Sequence, residues 1–157
     1  KRVLQRSKRI QMQKIIGYDV TRFIQAQQKD YQFALDEIKK GKKESHWIWY
    51  IFPQLKGLGH SAMSEYYGIQ DLGEAKAYLA DPILKAHLVE ICSALLELDA
   101  NDAVVVMGRP DDKKLKSSMT LFDAASGHQE IFEKVLEKYY QGKKDRRTLQ
   151  LLDMKNR

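Results

Sequence analysis

The spacing of apolar side chains constrains this chain more than any other feature, because they recur every three to four positions rather than every second one. Between Asp19 and Gly41 the recurring side chains are Phe23, Ile24, Gln27, Tyr31, Ala34, Leu35 and Ile38. A helix places such positions on one face. Asp19 is a suitable N-cap, and Gly41 suits the residue after the C-terminus. We therefore predict an amphipathic helix from about Thr21 to Lys40.

Capping residues mark further helices along the chain. Ser61, Asp71 and Asp81 each precede a helix-like segment, and their side chains can accept hydrogen bonds from the free amides of a first turn. Pro82 follows at a position that favours helix initiation, and that helix extends to about Leu98. Residues 104–107 are mostly valine, which favours a strand. Because no alternating partner strand is present, we predict a short helix there.

These patterns predict an all-α fold, a compact single domain of about seven short-to-medium helices with no substantial sheet. A chain of 157 residues is long enough for one such domain. The predicted domain covers residues 18–157 and follows a basic tail or linker, residues 1–17. Six of the 27 basic residues lie in the first 14 positions, which leaves 21 basic and 21 acidic residues elsewhere. The tail therefore supports, at most, weak contact with a polyanion.

Residue types argue against several kinds of site. The single cysteine, Cys92, permits no internal disulfide and no cluster of thiolate ligands, and it favours a cytoplasmic setting. The four histidines are widely separated and lack the HExxH spacing of zinc hydrolases, so we predict no metal site. The GxSxG and GxGxxG motifs are absent, which disfavours a serine hydrolase and a dinucleotide-binding fold. We predict no cofactor, and no apolar run is long enough to cross a membrane.

Four segments together resemble one protein family. They are RFIQAQ in the first predicted helix, SHWIWYIFPQLKGLGHS with YYGI after it, PDDKKLKSSMTLF, and GKKDRRTLQLL. The pattern resembles the bacterial family called domain of unknown function 1810, over roughly Tyr18 to Leu152. The resemblance implies a compact, mostly helical single domain and no established activity. Some members are labelled calpastatin-like, but inhibitors of that kind are disordered and proline-rich, whereas this chain has three prolines and a core-forming composition.

Two of these segments carry side chains suited to a ligand. The stretch from Ser45 to Gln54 is rich in aromatic residues that can stack on a ring, and residues 113–120 carry lysines and hydroxyls that suit a phosphate. Together they suit a small anionic ligand that is nucleotide-like or ADP-ribose-like. The candidate ligand-binding residues are His46, Trp47, Gln54, Ser61, Tyr67, Lys114, Ser117, Ser118 and Thr120. His46 is a weak candidate for acid–base catalysis, and whether the protein is an enzyme stays open.

Two alternative interpretations remain. Trp47, Ile48, Trp49, Ile51 and Phe52 can simply form the core, while the hydroxyls of residues 117–120 bond to backbone groups at helix ends. Alternatively, the helical body is a protein-interaction module whose basic tail contacts nucleic acid or an acidic surface. Whether the SHWIWYIFPQ stretch faces the KLKSSMT segment decides between a ligand pocket and simple core packing.

Overall fold

The first helix, α1 (Thr21–Lys39), has the apolar face that its sequence predicts. The structure is a computed structural model that describes residues 17–155, so the predicted basic tail lies outside the described residues except for Gly17. All seven predicted positions of α1 are buried. Val20 rather than Asp19 occupies the N-cap, although Asp19 Oδ1 accepts a hydrogen bond from Thr21 N at 2.9 Å. Gly41 takes the left-handed conformation, with φ of 84°, just beyond the helix end.

Eight more helices complete the part of the chain that the structure describes. They are α2 (Ile48–Ile51), α3 (Ala62–Tyr67), α4 (Leu72–Ala80), α5 (Pro82–Glu97), α6 (Ala103–Met107), α7 (Asp111–Ala125), α8 (Glu130–Tyr140) and α9 (Arg146–Lys155). The all-α prediction is confirmed, with nine helices in residues 17–155 rather than about seven. None of them is both long and apolar enough to span a membrane.

Side-chain caps begin five of the helices, among them the three predicted above, and Asp145 Oδ2 before α9 accepts from Thr148 N at 3.0 Å. Ser61 Oγ accepts from Ser64 N at 3.1 Å, and Asp71 Oδ1 accepts from Glu74 N at 3.0 Å. Asp81 Oδ1 accepts from the amides of residues 83 and 84, both at 3.0 Å. The valine-rich segment is helical, because Asp102 caps α6 with a hydrogen bond of 2.9 Å and no adjacent strand competes for its backbone in residues 17–155.

Helix α7 lies at the centre of the domain. It contacts α4, α6, α8 and α9, and it also touches α2. Helix α1 packs across α5 and α2 on another side. The largest fully buried side chains of this single core include Trp47, Tyr78, Phe23, Phe52, Phe122 and Phe132. The contact between α2 and α7 brings the aromatic stretch against the lysine- and serine-rich helix.

A carboxylate on α1 holds the loop that leads into α2. Glu37 Oε1 accepts hydrogen bonds from Glu44 N at 2.7 Å, Ser45 N at 2.9 Å and Trp47 Nε1 at 2.9 Å. Its Oε2 accepts from Ser45 Oγ at 2.6 Å. Burial by itself raises the pKa of the Glu37 carboxyl, but these hydrogen bonds outweigh it and lower the pKa to about 2. Glu37 therefore fixes Trp47 and the loop before it.

We expect the Glu37→Gln variant to lose part of the pH dependence of stability. The ionised carboxylate stabilises the fold fully above its ordinary pKa of 4.5, and this contribution disappears as the pH falls through about 2. Denaturant unfolding from about pH 7 to about pH 2 should show wild type and variant converging at acid pH. The exposed Glu97→Gln variant is the matched control. A difference between Glu37→Gln and wild type that stays constant with pH would contradict the assignment.

Candidate functional site

A small pocket opens between α2 and α3. We call it the Trp49 pocket, and it is lined by Trp49, Gln54, Leu55, Leu58, Gly59, Ser64, Tyr67 and Gly68. Its volume is about 20 Å³, which is room for one water molecule or one oxygen-bearing group of a ligand. A complete nucleotide does not fit inside it, so only part of such a ligand could enter.

Backbone contacts on both sides of α3 shape this pocket. Lys56 N donates to Ile69 O at 2.7 Å, and Ile69 N donates to Gln54 O at 2.8 Å, so the chain before α3 is tied to the chain after it. Gly68 allows this close approach, since an added Cβ would lie 2.7 Å from both Ser64 O and Lys56 Cβ. The pocket wall therefore depends on a glycine at position 68.

Arg22 on α1 binds the chain at the end of α3. Its Nε donates to Tyr66 O at 2.9 Å, and its Nη2 donates to Gly68 O at 3.0 Å. The same guanidinium binds both carboxylate oxygens of Glu74, at 3.2 and 3.1 Å. Sequence reasoning missed this residue because its partners lie 44 to 52 positions away. The RFIQAQ segment that contains Arg22 was the available signal.

The indole of Trp49 is the most unusual group in the pocket. Its Nε1 atom is buried and has no hydrogen-bond partner within residues 17–155. Lys114 on α7 places its Nζ 5.0 Å from the centroid of the Trp49 ring and 3.6 Å from Asp111 Oδ1. The aromatic stretch and the lysine- and serine-rich segment therefore meet at Trp49, in a cation–π contact.

The two tryptophans occupy different environments. Trp47 is 1% exposed, with its Nε1 bonded to Glu37 and its ring 6.1 Å from that of Phe52, and it does not line the pocket. Trp49, which the sequence analysis placed among the possible core residues, is only partly buried and lines the pocket. His46, the weak catalytic candidate, is exposed and also lies outside the pocket lining.

Other predicted site residues divide between the pocket and the interior. Gln54 and Tyr67 line the pocket, and Ser61 lies next to it, since Ser61 Oγ donates to Ser64 Oγ at 2.9 Å. Burial raises the pKa of Tyr67, followed by the effect of the neighbouring Tyr66, so its phenol stays a neutral donor. The structure thus brings Gln54, Tyr67 and Lys114 to Trp49.

The hydroxyls of α7 face the protein interior instead. Ser117 Oγ donates to Lys113 O at 3.1 Å, and Thr120 Oγ1 donates to Lys116 O at 2.8 Å. Ser118 is fully buried, and its Oγ lacks a hydrogen-bond partner in the described part of the chain. None of these three hydroxyl residues lines the Trp49 pocket, so their contact with a ligand stays a prediction.

Comparison with known proteins places the chain in a family. The family model described as "Protein of unknown function (DUF1810)" matches residues 17–152. The chain belongs to this family. It is also 42% identical to the conserved hypothetical protein Rv1873 from Mycobacterium tuberculosis, whose crystal structure superimposes with a TM-score of 0.82. That match covers 85% of this chain and 95% of the mycobacterial chain, while no curated protein matches.

Pocket residues of this DUF1810 chain that sequence reasoning did not select are mostly small or apolar. They are Trp49, Leu55, Leu58, Gly59, Ser64 and Gly68. The glycines of the LKGLG and YYG strings were the available signal, because glycine is needed where two backbones approach closely. The family resemblance inferred from the sequence is confirmed, and the descriptions of the family and of the mycobacterial protein name no substrate.

Proposed function

We propose that this DUF1810 protein binds a small anionic ligand, nucleotide-like or ADP-ribose-like, at the Trp49 pocket. The observation that carries the proposal is the buried Trp49 Nε1, which has no hydrogen-bond acceptor among residues 17–155. An unsatisfied buried donor costs about 1–3 kcal/mol. A phosphoryl or carbonyl oxygen that reached this atom from the pocket would accept the hydrogen bond and remove the cost.

Groups around the pocket suit the remainder of such a ligand. The Gln54 amide and the Tyr67 hydroxyl add polar contacts within the lining, and the Lys114 ammonium supplies positive charge beside the indole. Tyr66 is 61% exposed and its ring centroid lies 4.7 Å from that of Tyr67. An aromatic base could stack on this exposed ring. The base would then lie outside the pocket, which has room for only one group of the ligand.

The proposal concerns binding and assigns no catalytic residue. His46 lies outside the pocket lining and is exposed, so a ligand held by Trp49 gains no evident general acid or base from it. Any reaction would need a reacting group that lies closer to the pocket.

Trp49→Phe is expected to weaken ligand binding about tenfold while leaving the melting temperature nearly unchanged. Phenylalanine keeps a ring for packing but removes the N–H donor, and one hydrogen bond to an anionic oxygen is worth about 1.5 kcal/mol, or about tenfold in affinity. The ligand is first selected by thermal shift of the wild type with AMP, ADP, ADP-ribose and inorganic phosphate. Isothermal titration of the best compound then compares wild type, Trp49→Phe and Lys114→Gln, with His46→Ala as the matched control outside the pocket.

Two results would contradict this proposal. One is that none of the four compounds stabilises the wild type at millimolar concentration, about the weakest affinity worth assigning to a site. The other is that Trp49→Phe binds the selected compound as tightly as wild type does. Weakening by His46→Ala alone would move the site from the pocket to the loop before α2.

The alternative function, a protein-interaction module, has less support. Such a module needs a contiguous exposed apolar patch, whereas single exposed apolar side chains are ordinary. The exposed large apolar residues among those described are Phe33, Tyr66, Ile83, Val105, Leu149 and Met154. They are distributed over α1, α3, α5, α6 and α9, and only α9 carries two of them.

A further inference from the structure

Three metal-ligating side chains converge where α7 turns into α8. Asp123 lies in the last turn of α7, His128 in the connecting turn, and Glu133 in the first turn of α8. Asp123 Oδ2 is 2.9 Å from His128 Nδ1, which in turn is 4.0 Å from Glu133 Oε1. One ligand atom from each residue lies within 4.8 Å of the other two. We call these three residues the Asp123 cluster.

A second observation indicates that the Asp123 cluster is incomplete as it stands. Asp123 is 1% exposed, and its Oδ1 has no hydrogen-bond partner in the described residues. A buried carboxylate oxygen without a donor costs free energy. Its other oxygen already contacts both His128 and Lys144, the latter at 3.1 Å. A cation that contacts both oxygens of Asp123 would satisfy Oδ1 as well as Oδ2.

The backbone of the turn orients the imidazole toward this carboxylate. His128 has φ of 69°, in the left-handed region that few residues other than glycine adopt. Two hydrogen bonds hold the turn: His128 N donates to Asp123 O at 2.8 Å, and Gln129 N donates to Ser126 Oγ at 3.0 Å. The turn therefore keeps His128 beside Asp123 at some conformational cost.

We infer that the Asp123 cluster is a binding site for a divalent transition metal such as Zn²⁺. Asp123 and Glu133 each supply a carboxylate oxygen and His128 supplies Nδ1, with water completing the coordination. Zinc binds these atom types at about 2.0–2.2 Å, so the ligand atoms must close to about 3–3.5 Å from one another. The Asp123–His128 pair, at 2.9 Å, is already that close, and the half-exposed Glu133 has to move by about 1–2 Å.

Metal binding at this site requires that the Nδ1 atom of His128 give up its proton. In the metal-free protein Nδ1 carries the proton that is donated to Asp123 Oδ2. Coordination through Nδ1 requires the proton on Nε2, where it can be donated to water. The two carboxylates balance the charge of the dication. The inference departs from the sequence-based expectation of no metal site, because spacing of five residues across a turn matches no linear zinc motif.

Lys144 competes with the metal for the same carboxylate. Its Nζ lies 3.1 Å from Asp123 Oδ2, and its side chain is 37% exposed, so it can withdraw into solvent when a cation binds. Removing its charge should tighten metal binding, because a dication and an ammonium on one oxygen repel each other. If the Asp123 cluster were only an ion pair, removing the Lys144 charge would not tighten metal binding.

Isothermal titration of the full chain with ZnCl₂ tests the inference. We expect one Zn²⁺ per wild-type chain and about tenfold tighter binding by Lys144→Gln. His128→Gly should weaken binding by about 100-fold, since loss of a coordinating residue exceeds the effect of losing its outer-shell partners. Glycine accepts the positive φ of position 128, which protects folding. His60→Ala, at another exposed histidine, is the matched control and should bind as wild type does.

A second variant and a second metal keep the test decisive. Glu133→Gln removes one ligand from a half-exposed position and should also weaken Zn²⁺ binding, with Co²⁺ absorption as an independent readout of nitrogen and oxygen coordination. The inference is overturned if the wild type binds no Zn²⁺ saturably. It is also overturned if His128→Gly and Glu133→Gln bind as wild type does, or if only His60→Ala loses binding.

Discussion

Trp47→Ala is expected to lower the free energy of unfolding by about 3–5 kcal/mol, the cost of deleting a large, fully buried aromatic side chain. Trp47 is 1% exposed and packs against Phe52. The substitution also removes the indole N–H that donates to Glu37 at 2.9 Å, so the loop before α2 loses an anchor. Urea unfolding followed by circular dichroism measures the change directly.

Trp49→Ala is the matched control for this prediction, because it changes the same residue type two positions away. Trp49 is partly exposed and its N–H has no acceptor in the described residues, so we expect a loss of about 1–2 kcal/mol. Equal losses from the two substitutions, or a larger loss from Trp49→Ala, would show that the core and pocket roles of the tryptophans are assigned incorrectly.

Arg22→Ala is expected to cost about 3 kcal/mol, since it strands a buried carboxylate. The guanidinium binds both oxygens of Glu74, whose side chain is 7% exposed, and also the carbonyls of Tyr66 and Gly68. Without Arg22 the Glu74 charge is uncompensated and the end of α3 is released. Thermal and denaturant unfolding both report the loss, and the pocket proposal adds that ligand affinity should fall as well.

A double-mutant cycle separates the stranded charge from the lost packing. Glu74→Gln should destabilise the wild type, because it weakens the bidentate ion pair. In the Arg22→Ala background the same change should raise stability by about 1 kcal/mol, since neutral glutamine costs less to bury than an unpaired carboxylate. If Glu74→Gln changes the free energy of unfolding in the same direction in both backgrounds, the ion pair is not what makes Arg22 important.

Local sequence patterns were sufficient for most of the helices. The periodicity from Phe23 to Ile38 identified every buried position of α1, because a long amphipathic helix buries one continuous face. Caps at Ser61, Asp71 and Asp81 were equally local signals. The apolar pattern is less regular at the start of α5, where the large side chain of Ile83 is 44% exposed.

The orientation of side chains in the aromatic stretch was beyond the reach of periodicity. Helix α2 has four residues, barely one turn, so no repeat exists from which to assign an inner and an outer face. Glu37 decides that Trp47 turns inward, and it does so through a contact ten positions back along the chain. The sequence contains both residues but no sign that they pair.

The sequence predicted only part of the candidate site. Gln54 and Tyr67 flank a glycine-rich loop, and residues of that loop line the pocket. Ser117 and Thr120 of α7 were chosen as phosphate ligands by residue type, yet their hydroxyls bond to carbonyls within the helix, a common alternative for these residues. Residue type indicates what a side chain can bind, and packing decides what reaches it.

The two backbone hydrogen bonds between residues 54–56 and Ile69 have a consequence for how such proteins diverge. They close residues 57–67 into a loop with fixed ends, and the free energy of closing a loop rises only slowly with its length. Changes in the length of this segment are therefore cheap for the fold while they remodel the pocket wall. The Trp49 pocket can change its shape in this way with the helical core left intact.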